Sequence, residues 1–168
     1  LSVLGSVDQS RGRATLLKFI GPRGPSIVRQ AALRALAGTT LTLAQARQVL
    51  ACVAENDMTH VVRPAMHVLE GVEGWDAQAI ELLEPMLEAA DEERRLFALR
   101  ALRGWHTERM AKACLQFLLH SGPEFHEAAI LALRGNRTAV DSLLRALGLE
   151  KSADRAQRIG RALGALGA

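Results

Sequence analysis

Tyrosine is absent from the 168 residues, and aromatic side chains make up only 4% of them. Aromatic and β-branched residues are too sparse to furnish the pleated faces of a sheet. Cysteine is nearly absent. Cys52 and Cys114 fall in different predicted helical hairpins, and hairpins packed about 10 Å apart hold their thiols too far away to bond. We read both as small buried hydrophobes rather than redox or metal groups. Lysine is scarce too: Lys18, Lys112 and Lys151 are the only three among 21 basic residues. The remainder are arginines, whose planar forks suit recognition of carboxylate or phosphate. No apolar run approaches the 18 residues of a membrane span, and no charged, apolar, small-residue signal pattern opens the chain. The first residue is Leu1, not Met. We therefore expect a processed chain or a segment of a longer one, with the cytoplasm as its compartment.

The hydrophobic share is 49%, much of it Leu and Ala, which excludes a disordered chain and favours helix. Net charge is only +3, but the charge is segregated. Residues 1–50 carry seven bases against the single acid Asp8 (+6); residues 51–93 carry eleven acids against Arg63 (−10); residues 94–168 carry thirteen bases against six acids (+7). A basic, acidic, basic layout argues against a uniform nucleic-acid stripe.

The strongest signal is internal periodicity. Five segments share a small residue, a large apolar residue and Leu three further on: Ala32-Leu33-x-x-Leu36, Ala65-Met66-x-x-Leu69, Ala98-Leu99-x-x-Leu102, Ala129-Ile130-x-x-Leu133 and Ala162-Leu163-x-x-Leu166. The leading alanines are 33, 33, 31 and 33 residues apart. Gly38, Gly71, Gly104 and Gly135 each follow the last Leu by two, where a left-handed helix cap favours glycine. An apolar helix precedes each segment, and turn signals separate the two: Gly21-Pro22-Arg23-Gly24-Pro25, Glu55-Asn56-Asp57, Ala90-Asp91-Glu92, Ser121-Gly122-Pro123 and Lys151-Ser152-Ala153-Asp154. Pro64 is expected near a helix start, where its missing N–H does little harm. Pro85 is expected inside a helix, which it should kink. One such hairpin cannot bury its own apolar faces; stacking covers them, and alanine allows the close approach.

Val28-Arg29-x-x-Ala32-x-x-Ala35-Leu36 resembles the second-helix signature of HEAT repeats, in the short bacterial form of phycobilisome-lyase-like proteins. Arg95-x-x-Ala98-x-x-Ala101-Leu102 and Ala129-x-x-Ala132-Leu133 repeat the match, although Val62, His126 and Ile159 replace the signature Arg elsewhere. The resemblance implies an all-α fold: a right-handed α-solenoid, an armadillo-like superhelix of about five HEAT-like hairpins. The repeats would be 11–38, 39–71, 72–104, 105–135 and 136–168, forming one domain. It says little of function, because HEAT arrays serve many roles.

Chemistry-bearing constellations are thin. His126-Glu127 is similar to the iron-holding pairs of deoxyhypusine hydroxylase, a HEAT-like enzyme, but other repeats have no such pair, and a di-iron site needs many converging ligands. No two of His60, His67, His106, His120 and His126 stand at i, i+4 on one helix, so no zinc site is expected. Neither a phosphate-binding glycine loop nor a Gly-x-Ser-x-Gly elbow is present. Glu81, Glu84 and Glu88 share a helix face and read as solvated. Trp75 and Trp105 sit in inter-repeat turns, as binding anchors or as lids on the core. Trp75-Asp76 invites comparison with HEAT-like DNA glycosylases, but adjacent helix residues point different ways. We expect no enzyme, no metal and no cofactor.

In HEAT arrays the second helices line the concave side. Counting from the buried Ala and Leu positions, the outward residues are Gln30, Arg34 and Ala37; Arg63, His67 and Glu70; Leu96, Arg100 and Arg103; Glu127, Leu131 and Arg134; and Gly160, Gly164 and Gly167. Candidate partner-binding residues are Arg34, Arg63, His67, Arg100, Arg103 and Arg134, with Trp75 and Trp105. The expected function is a scaffold binding an acidic protein or peptide. The alternatives are a nucleic-acid-binding protein and the non-catalytic repeat domain of a larger enzyme. Leu16, Leu17, Phe19 and Ile20 make the first hairpin apolar, so self-association through uncapped ends is also expected.

Overall fold

The computed structural model describes residues 2–21, 24–55, 58–105, 107–120 and 122–167, with the side chains of 2–10, 55, 120, 137 and 138 left aside. The turn residues Pro22, Arg23, Asn56, Asp57 and Ser121, together with His106, lie outside the described residues. Among those described the fold is all-α: ten α-helices, one 3-10 helix and no strand. The chain forms two compact units, Leu1–Leu82 and Leu83–Ala168.

Unit 1 holds α1 (Ser2–Phe19), α2 (Ser26–Leu36), α3 (Leu43–Glu55), α4 (Thr59–Leu69) and all but the last residue of α5 (Ala77–Leu83). α1 begins nine residues before the expected start of the first repeat at 11. α1 packs on α2 and α3 on α4, while α2 lies against α4 and α1 touches α3. Ala32, Leu33, Leu36, Val49, Leu50, Val53, Val61, Ala65 and Leu69 form the core, at the three-and-four spacing of a helix face. α3 opens with a capping box: Gln45 N–H donates to Thr42 Oγ1 (3.3 Å), and Thr42 N–H donates to Gln45 Oε1 (3.0 Å).

Unit 2 holds the 3-10 helix Glu84–Glu88, α6 (Glu92–Ala101), α7 (Glu108–His120), α8 (Pro123–Leu133), α9 (Arg137–Leu149) and α10 (Ala153–Leu166). α6 packs on the 3-10 helix and on α8, α7 on α8 and α9, and α10 on α7, α8 and α9. Leu99, Leu102, Met110, Leu118, Leu133, Leu143 and Ile159 are buried. The Phe117 and Phe125 rings meet with centroids 5.1 Å apart. Side-chain oxygens of Asp91, Thr107, Asn136 and Ser152 accept from backbone N–H groups at the starts of α6, α7, α9 and α10.

The repeat register shows directly in burial. The leading Ala is buried in all five segments, and only Ile130 and Leu166 among the larger residues are half-buried. Gly38, Gly71, Gly104 and Gly135 all have positive φ, between 75° and 86°. The fifth segment ends the same way, with Gly167 at 78° directly after Leu166. Pro85 corrects its expectation: instead of kinking a helix from inside, it stands at the start of the 3-10 helix Glu84–Glu88, and α5 stops before it at Leu83, because Pro85 cannot donate to the carbonyl four residues back. Pro64 corrects its expectation too. It lies in the sixth position of α4, inside the helix, and cannot donate to the carbonyl of His60.

Candidate functional site

The signature arginines turn out to be structural. Arg29 is buried. Arg95 donates to the carbonyls of Ala89 (2.9 Å) and Ala90 (3.4 Å), pairs with Glu92 at 3.2 Å and lies 5.7 Å from the Phe125 ring centroid. It thereby ties the turn after the 3-10 helix to α6 and α8. Beside the fifth signature position, Arg158 pairs with Asp154 at 2.7 Å and approaches His126 Nε2 at 3.4 Å. A guanidinium there repels a metal ion. No group of three or more His, Cys, Asp or Glu suited to a metal occurs among the described residues. Glu84 accepts from Thr107 Oγ1 at 2.6 Å and Glu88 pairs with Arg109 at 3.1 Å, so two of the trio Glu81, Glu84 and Glu88 bind the start of α7.

Trp75 is buried in unit 1, and its indole N–H has no acceptor among the described residues. Neighbouring Asp76 caps α5 by accepting from Ala79 N–H (3.0 Å) and pairs with Arg47 at 3.5 Å. The tryptophan belongs to the core and the carboxylate to a cap, so they do not form a common site. Trp105 is half-buried in the turn after α6.

None of the residues expected to face outward is buried. Gln30, Ala37, Leu96 and Leu131 are half-buried and the rest exposed. Arg34, Arg63, His67, Arg100, Arg103 and Arg134 are all exposed. Each unit has a groove between neighbouring second helices. In unit 1 a groove of about 670 Å³ runs between α2 and α4. Arg34 lines it from α2; His60, Arg63 and His67 line it from α4, with no carboxylate among the lining residues. The half-buried Ala37 and Pro64 supply apolar floor above the buried Leu33, and Gln30 and Thr59 supply hydrogen-bonding groups. His67 Nδ1 lies 3.0 Å from Glu70 Oε2, outside the groove. In unit 2 the matching groove between α6 and α8 is smaller, about 360 Å³. Arg100 and Arg103 there face Glu124 and Glu127, with Leu99, Ala128 and Leu131 between. Arg134 lines neither groove.

Sequence reasoning placed Arg34, Arg63 and His67 on one face and missed His60. It lies a turn before Pro64 in α4, and the repeat count assigned no outward position so early in the helix. Sequence reasoning also put Arg100 and Arg103 among the candidate partner-binding residues, whereas Glu124 and Glu127 line the same groove. The unit 1 groove can hold anions by charge-assisted forks, and its lining contains two histidines but neither a thiol nor a carboxylate. No protein-family model matches this sequence, and no curated protein matches it.

Proposed function

We propose that this chain is a non-catalytic helical-repeat module, an α-solenoid of HEAT-like hairpins, that holds an acidic protein segment against its second helices. The observation that carries the reading is the α2–α4 groove, which gathers Arg34, Arg63, His60 and His67 without a lining carboxylate. The packing of α2 beside α4 in one unit, and of α6 beside α8 in the other, supports the stacked-hairpin reading. Cationic side chains gathered along one groove suit an anionic partner, which they can hold through charge-assisted hydrogen bonds. The carboxylates opposite Arg100 and Arg103 give the unit 2 groove a balanced charge and a secondary place in recognition.

The test is fluorescence anisotropy with a labelled glutamate-rich peptide, comparing wild type with the double reversal Arg34→Glu, Arg63→Glu. Both side chains are exposed, so the melting temperature should stay nearly constant, while affinity falls at least about tenfold, or about 1.4 kcal/mol. Unchanged affinity would exclude this groove. A single-stranded oligonucleotide run in parallel separates the runner-up. Tighter binding to the oligonucleotide, with a salt slope that grows with each phosphate engaged, would replace the acidic protein by nucleic acid.

A further inference from the structure

We propose that the α2–α4 groove receives one face of an acidic α-helix whose carboxylates stand one turn apart. The inference rests on the acidic-segment reading and names the form of that segment. The groove lies between two helices, and its polar residues are stepped along both walls at helical intervals. Arg63 and His67 are four residues apart on α4, as are Gln30 and Arg34 on α2. Residues at i, i+4 stand about 6 Å apart on a helix surface. Glutamates at i, i+4 on a partner helix repeat at the same pitch, and a second row two residues displaced faces the other wall, with positions i+3 and i+7 lying between the rows.

An extended strand could present alternate acids at a comparable pitch, about 3.3 Å per residue. Its backbone N–H and C=O groups would then need partners. Both walls are helices whose interior backbone groups bond within themselves, the His60 carbonyl excepted because Pro64 cannot donate to it, and besides the two arginines only Gln30, Thr59 and the two histidines offer polar side chains. No strand edge is present among the described residues to pair an extended chain. A helix brings its own backbone hydrogen bonds and needs only side-chain contacts, the usual economy of helix-in-groove recognition. The apolar floor of Ala37 and Pro64 suits the Ala or Leu stripe that such a helix carries between its two acidic rows.

Three labelled peptides of equal length and net charge test this on the full chain. The first is a helix former with Glu at i, i+4 and Leu between the acidic rows; the second has the same composition with two central residues replaced by Pro; the third keeps helicity but moves the glutamates to the face opposite the Leu stripe. The expected result is binding of the first, with helicity gained on addition of the chain, and at least about tenfold weaker binding of the other two. Arg34→Ala with Arg63→Ala should abolish the preference with an unchanged melting curve. If the proline peptide binds as tightly as the first, the helical partner is wrong while the groove reading stands. If the third does, one-turn spacing against the floor is wrong. If none of the three binds, the acidic-segment reading fails with it.

Discussion

Cys114 and Leu99 show how little room the unit 2 core leaves. Cys114 is fully buried, and burial pushes its thiol from 9.0 up to about 12, because a thiolate there would lose its hydration. The folded chain therefore keeps the neutral thiol while the unfolded chain ionises near 9.0. Stability from this group is fully present below about pH 9 and is lost as pH rises toward about 12. Iodoacetamide at pH 8 should leave Cys114 unmodified in the native protein and label it in denaturant; mass spectrometry reads the difference, and rapid native labelling would contradict the burial. Leu99 is the large apolar residue of the third repeat and is completely inaccessible. Leu99→Asp places an unpaired carboxylate there, at a cost of several kcal/mol, about half or more of the stability of a typical domain. Circular dichroism should show loss of the cooperative melt, whereas a wild-type melt would mean that the repeat register is wrong.

At the scale of elements, what the sequence made legible is what has a local cause. The alanine–leucine period located α2, α4, α6, α8 and α10, because burial on one helical face imposes that period. The repeat-ending glycines marked the turns, because only a left-handed residue closes the helix there. Pro64 escaped the same logic. Its context reads as a helix start, yet α4 begins at Thr59, since Val61, Val62 and Ala65 bury best when the helix extends through the proline. The interior position leaves the His60 carbonyl without its usual donor. Pro64→Ala should restore that bond and stabilise the fold by about 1–3 kcal/mol, seen as a higher denaturant midpoint with an unchanged slope. An unchanged or lower midpoint would mean that the proline ring contributes packing along the groove.

On the scale of the whole molecule, segregated charge is the property that composition displayed most openly and explained least. The acidic stretch 51–93 looks like a separate surface in sequence, yet Asp76 serves as a helix cap and partner of Arg47, while Glu84 and Glu88 bind α7. Which acids line a groove beside its cations depends on what folding brings together. That is why Arg34 and Arg63 define a groove without carboxylates while Arg100 and Arg103 face two. Spacing along one strand of sequence does not report that opposition. The central claim is that the α2–α4 groove is the partner surface, and the most direct measurement is amide chemical-shift mapping on isotopically labelled protein during titration with the helical acidic peptide. The account predicts saturable shifts clustered on residues 30–37 and 59–67. Shifts centred instead on α6 and α8, or spread evenly over every exposed arginine, would contradict it.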